Sequence, residues 1–187
     1  MHVSCTRPLS RGRPSVLDML AACRGGDLPR AQALRAQGVS VTITDNHGVQ
    51  PIHGAAKKGH RDIVQWLLSA GASPTAADNN GNEPIHGAAA NGRLEAAELL
   101  LEQGASVTIA DNHGVQPIHG AAEKGHRDIV QWLLSAGASP TAADNHGNQP
   151  IHGAAAYGHL ETAELLLEQG ASSPSPTHAA FSPYSSL

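Results

Sequence analysis

The amino-acid sequence predicts an all-α solenoid built from stacked helix–turn–helix units. A 33-residue pattern recurs along the chain, and each copy holds two short segments with an apolar face, each followed by a glycine. Helices of about eight to ten residues are marginally stable in water on their own. Each unit therefore needs a neighbour to cover its apolar face, and units stacked in one dimension provide that cover.

The repeat is clearest where two units are near-copies of each other. Residues 45–77 and 111–143 differ at one position, and residues 78–106 and 144–172 are identical at 24 of 29 positions. Two kinds of unit therefore alternate along the chain. The array is predicted to contain five units, near residues 12–44, 45–77, 78–110, 111–143 and 144–172.

The second unit shows how the elements of a unit are encoded. Residues 45–48 read Asp-Asn-His-Gly, which is typical of a turn. A first helix is predicted over 51–58, because proline suits the first helical position and the following glycine supplies a left-handed helix end. A second helix is predicted over 61–70, with its apolar side chains, including Trp66 and its copy Trp132, in the core.

The residues of this unit resemble the ankyrin repeat. The pattern Pro-Ile-His-x-Ala-Ala-x-x-Gly-His at 51–60, followed by Ile-Val-x-x-Leu-Leu-x-x-Gly-Ala at 63–72, is similar to the repeat motif of that family and recurs in the later units. The resemblance implies an ankyrin domain over 15–172, in which each unit is a β-hairpin tip followed by two antiparallel helices. It also implies a scaffold or adaptor that binds another protein.

The chain departs from the family pattern at the residue before the helix proline. Where the family has threonine, this sequence has Gln50, Glu83, Gln116 and Gln149. This residue should be the N-cap, where a short side-chain oxygen accepts a hydrogen bond from an unpaired backbone N–H. Glutamine and glutamate are too long for that contact, so we expect first helices without a side-chain cap.

The resemblance also indicates where a partner would bind. The family varies around the tip glycine and at the two residues before the glycine that ends the first helix, and three of the six differences between the near-copies fall there. The predicted partner-binding residues are His47, Val49, Lys57, Lys58, Asn80, Asn82, Asn91, His113, Val115, Glu123, Lys124, His146, Asn148 and Tyr157. Tyr157 is the aromatic residue among them, and tyrosine is frequent at binding hot spots.

Metal binding and catalysis are weaker interpretations. The residues at the family's structural histidine are His53, His86, His119 and His152. We expect their rings to bond turn backbone groups. Tip histidines of successive units, roughly 10 Å apart, cannot share a zinc ion held at about 2.0–2.1 Å. The sequence has no phosphate loop or nucleophile elbow, and Cys23 is predicted as a packing residue. We therefore expect no enzyme activity, cofactor, metal or small-molecule substrate.

Charge divides the chain into two halves. Residues 1–77 contain nine lysines and arginines against four acidic residues, whereas residues 78–187 contain three against twelve. This is not the pattern of a nucleic-acid-binding surface, and no apolar run reaches the length of a membrane span. The charge asymmetry, with a last unit that lacks an obvious polar capping helix, leaves weak head-to-tail self-association or a spacer role as the alternative function.

The two ends of the chain have their own composition. Residues 1–14 are basic and are predicted to be a disordered tail, with a transit peptide as the alternative. Residues 173–187 are rich in serine and proline and are also predicted to be disordered. Two cysteines without a secretory signal indicate a cytoplasmic protein, with the nucleus as the alternative.

Overall fold

The structure, a computed structural model, describes residues 15–171, and the regular elements in this part of the chain are all helices, with no strand. Its helices are α1 (Val16–Gly25), α2 (Leu28–Ala36), α3 (Pro51–Lys58), α4 (Arg61–Ser69), α5 (Pro84–Ala90), α6 (Leu94–Glu102), α7 (Pro117–Glu123), α8 (Arg127–Ser135), α9 (Pro150–Ala156) and α10 (Leu160–Glu168). None of these described helices is long and apolar enough to cross a membrane. The predicted tails, 1–14 and 173–187, lie outside the described residues.

The helices form two layers. The first helices of successive units stack on one another, α1 on α3, α3 on α5, α5 on α7 and α7 on α9. Each first helix also packs against the second helix of its own unit, and in the second layer α4 contacts α6 and α8 contacts α10. This arrangement confirms the predicted all-α solenoid.

The helix ends follow from local sequence. Each of the helices α3, α5, α7 and α9 has proline in its first turn. Helix α3 ends at Lys58 and is followed by the C-cap Gly59, whose φ of +79° is the left-handed conformation that glycine adopts most readily. Helix α4 ends at Ser69, one residue earlier than predicted.

The core of the second and fourth units is built from the same aliphatic positions. Ile52, Ile63 and Leu67 are fully buried in the second unit, as are their copies in the fourth. Trp66 and Trp132, predicted to belong to the core, are only half-buried and pack against it. That prediction is therefore correct in part.

The tips of the units are hydrogen-bonded turns. In the second unit, Asp45 Oδ1 accepts from the backbone N–H groups of His47 (2.9 Å) and Val49 (3.0 Å). The next tip is joined to this one by a single backbone bond, from Asn79 N–H to the His47 carbonyl (2.9 Å), and by Asn79 Nδ2 to the Asn46 carbonyl (3.1 Å). One backbone bond per step makes no ladder, which is why the β-hairpin part of the fold prediction is not confirmed for residues 15–171.

Candidate partner-binding groove

A groove of about 640 Å³ lies along the tips and first helices of the second, third and fourth units, with α1 at one end. The fourth residue of each of the helices α3, α5, α7 and α9 is a glycine, and it faces the end of the preceding first helix. A Cβ atom on Gly54 would lie 3.5 Å from Arg24 Cβ, and one on Gly87 would lie 3.4 Å from Lys57 Cβ. These glycines let the first helices stack closely, so that the last side chains of one helix lie beside the start of the next.

Part of the predicted binding set lines this groove. The six residues concerned are Val49, Lys57, Lys58, Asn82, Asn91 and Val115. The two lysines are exposed at the end of α3. The asparagine amide N–H groups are already used, since Asn82 Nδ2 donates to Asp78 Oδ1 (3.3 Å) and Asn91 Nδ2 donates to the Gly87 carbonyl (2.8 Å).

The remaining predicted residues lie outside the groove. They are His47, Asn80, His113, Glu123, Lys124, His146, Asn148 and Tyr157. Three of them form a separate cluster near the ends of α7 and α9. Lys124 Nζ lies 2.9 Å from Glu123 Oε1 and 5.5 Å from the centre of the Tyr157 ring, and that tyrosine is 58% exposed.

Twelve of the eighteen groove residues are absent from the predicted set, and three of them, Arg24, Glu83 and Gln116, have long polar or charged side chains. Arg24 holds the same position in the first unit as Lys57 holds in the second, so aligning the first unit would have revealed it. Glu83 and Gln116 precede helix prolines, so the sequence predicts them as N-cap residues and not as binding residues.

The structural role predicted for the repeated histidine is seen in its contacts. His53 Nδ1 accepts from the backbone N–H of Gln50 (3.1 Å), and His53 Nε2 lies 3.1 Å from the Asn82 carbonyl, to which it can donate. Burial lowers the pKa of the equivalent His86 below its usual range, which keeps its Nδ1 unprotonated and able to accept. Within residues 15–171, no group of histidine, cysteine and acidic side chains is placed to hold a metal ion.

The residues before the helix prolines form a row of buried, unpartnered oxygens. Each is the N-cap of its helix with extended backbone, and its side chain lies toward the backbone of the third helical residue in a capping-box arrangement but does not complete the side-chain capping bond. The atoms are Gln50 Oε1, Glu83 Oε2, Gln116 Oε1 and Gln149 Oε1. Burial raises the pKa of the Glu83 carboxyl.

Cys23 lies in α1 as a packing residue. Its side chain is fully buried, and burial raises the pKa of its thiol to about 11. The thiol is therefore protonated at neutral pH, whereas a nucleophilic cysteine must be a thiolate.

Comparison with family models matches residues 19–111 and 108–176 to a family described as ankyrin repeats, in three copies. The two matched stretches together cover most of the chain and include the whole groove. No curated protein matches the sequence.

Proposed function

This chain belongs to the ankyrin repeat family, and from that premise we propose that it binds a protein partner along its tips and first helices. Ankyrin repeats are in general protein-interaction modules. The observation that carries the proposal is the groove across three successive units, because an extended surface shared by neighbouring repeats is the kind that solenoids use for binding. The proposed role is that of a scaffold or adaptor.

The charged groups of the groove support this role. Lys57 and Lys58 are exposed, and neither takes part in an ion pair among residues 15–171. Exposed cations of this kind steer a complementary partner into place and fix its register. Tyr157, on the same side at the end of α9, offers a large amphipathic surface of the type found at hot spots.

The proposed surface is tested by paired substitutions. The full chain, as bait, captures partners from a cell lysate, and the affinity of a captured partner is then measured against Lys58→Ala/Tyr157→Ala. We expect the affinity to fall at least about tenfold with the fold intact, because hot-spot truncations cost about 2 kcal/mol or more. The control, Arg61→Ala/Gln65→Ala, changes exposed residues of the second helix α4 and should bind normally. Unchanged affinity in the folded double variant would exclude this surface.

Self-association is a second candidate, and one observation favours it. The first-helix face of the last unit is open in the structure, since Ala155 is exposed whereas its equivalents Ala56, Ala89 and Ala122 are fully buried. A second copy stacking there would make a heterologous contact, which runs on into filaments. The acidic residues of α10, Glu161, Glu164 and Glu168, would then meet the arginine-rich first unit.

Solution mass separates the two candidates. Head-to-tail stacking predicts a mass that rises with protein concentration and falls with added salt, because salt shortens the distance over which exposed charges attract, which is about 8 Å at physiological ionic strength. A mass that stays monomeric at both salt levels leaves partner binding as the function.

A further inference from the structure

The groove contains one acidic side chain with a buried oxygen that the fold leaves without a hydrogen-bond donor. Glu83 is 9% exposed, its Oε2 accepts no hydrogen bond, and it belongs to no ion pair among the described residues. The other acidic residue of the groove, Asp78, accepts from the backbone N–H groups of Asn80 and Asn82, both at 2.9 Å. A buried carboxylate oxygen without a donor is unfavourable unless another group supplies one.

The fold does not require a carboxylate at this position. The equivalent residues Gln50, Gln116 and Gln149 adopt the same backbone conformation and make the same bond from their N–H to the following histidine ring. Glu83 makes that bond too, from its backbone N–H to His86 Nδ1 (3.1 Å). Neither the cap nor the histidine bridge accounts for the charge.

The cations of the groove are placed apart from this carboxylate. Arg24, Lys57 and Lys58 belong to the first two units and line the groove, yet none lies within ion-pair distance of Glu83. The groove is thus basic at its first units, acidic in the third, where Glu83 lies, and neutral at Gln116 in the fourth. A partner of a single charge sign cannot complement this order.

We propose that the groove selects a protein segment that places an arginine or lysine side chain against Glu83 and acidic residues against Lys57 and Lys58. This inference rests on the proposed function and specifies the chemistry of the partner. Neighbouring units lie roughly 10 Å apart, and an extended chain advances about 3.3 Å per residue. The acidic and basic residues of the segment are therefore separated by about three positions. The inserted cation supplies the donor that Glu83 Oε2 lacks.

The test uses a displayed library of random peptides of about 12 residues, which span about 40 Å when extended. Peptides are selected on the full chain and measured against four proteins: wild type, Glu83→Gln, Lys57→Ala/Lys58→Ala, and Gln149→Glu. The last is the matched control, because it creates the same carboxylate in the near-copy unit, outside the groove. Thermal unfolding of each variant confirms that it folds.

We expect peptides that lose affinity with Lys57→Ala/Lys58→Ala to carry an arginine or lysine. Glu83→Gln should weaken them at least about tenfold, as loss of one partner in a desolvated charge pair does, without lowering the melting temperature. Replacing the basic residue of the peptide by glutamine should weaken wild-type binding equally and add no further loss to Glu83→Gln, which is the signature of a direct pair. Gln149→Glu should bind like wild type.

Two other results overturn the inference in distinguishable ways. Peptides that depend on Lys57 and Lys58 but lack a basic residue, or that bind Glu83→Gln as well as wild type, contradict the Glu83 pairing and leave the proposed function standing. Peptides whose binding depends on none of these residues contradict both the pairing and the use of this groove.

Discussion

At the residue scale, the side chain before the first helical residue decides how a helix is capped. Ser15 caps α1, since its Oγ accepts from Asp18 N–H (3.3 Å) while Asp18 Oδ2 accepts from Ser15 N–H (2.9 Å). At α3 a histidine accepts the bond from the backbone N–H of the capping residue, since Gln50 N–H donates to His53 Nδ1. The other bond of the pair is absent, because Gln50 Oε1 is buried without a donor. The glutamine oxygen is two bonds farther from Cβ than a serine or threonine hydroxyl, which places it beyond the short reach that a cap needs.

Restoring the short side chain should stabilise the protein. We predict that threonine at positions 50, 83, 116 and 149 together raises the melting temperature by several degrees. Each new cap contributes about 0.5–2 kcal/mol, and each kcal/mol is worth about 2–4 °C in a domain of this size. Partner binding should not improve and should weaken, because Glu83 is one of the residues replaced. Thermal scans and affinity measurements on the quadruple variant check both parts.

Alanine at the same four positions is the control for this prediction. It removes the buried unpaired oxygens without adding a cap, so the gain from threonine over alanine isolates the capping bond. If threonine gives no gain over wild type, the long side chains already contribute a stabilising contact and the capping argument is wrong.

These residues also show what could be predicted at this scale. The missing cap and the structural histidine could be predicted, because the two residues lie three positions apart in the sequence, as Gln50 and His53 do. The burial of Glu83 does not, because it depends on how the neighbouring units pack over it. Its one sequence signal is the difference from Gln149 in the near-copy unit.

At the element scale, a tip is restricted by close contact with the tip of the next unit. Gly81 and Gly147 are equivalent tip glycines with the same φ of +80°. A Cβ atom on Gly81 would lie 2.7 Å from Asn112 Oδ1 and 3.0 Å from Asn112 N, whereas a Cβ on Gly147 would meet nothing within 4 Å. The two positions therefore share a backbone cost and differ in contact with the following tip.

These two glycines distinguish two reasons for a glycine at a tip, the left-handed backbone conformation and the close contact with the next tip. We predict that Gly147→Ala lowers the free energy of unfolding by about 1–2 kcal/mol, the cost of a left-handed conformation with a side chain. Gly81→Ala should cost about 1–3 kcal/mol more, because the overpacked tip pushes on the backbone of Asn112 and on its bond to the Asn80 carbonyl (2.9 Å). Urea unfolding of both variants measures the difference. Equal losses would show that the neighbouring tip does not restrict Gly81.

At the scale of the whole molecule, stacking creates features that no single unit contains. The 33-residue period was enough to predict the solenoid, because short amphipathic helices need neighbours. The groove was only partly predictable, because its residues come together from different units. Arg24 of the first unit lies beside Gly54 of the second, and Glu83 of the third unit lies between the second and fourth units. The predicted binding residues share positions within a unit, and those of the last unit, such as Tyr157, lie outside this groove.

The last unit should exchange its backbone hydrogens faster than the third, which has nearly the same sequence. Leu167 is 43% exposed, whereas its equivalents Leu68, Leu101 and Leu134 are partly buried against the core. In a solenoid each unit is stabilised by its neighbours, so an end unit with one covered face opens more often. Hydrogen exchange should show less protection over 144–171 than over 78–110, and the identity of 24 of 29 residues keeps intrinsic rates comparable. Equal protection would mean that the open face is covered in solution. Dilution would then distinguish a second copy, which dissociates, from a segment of the same chain, which does not.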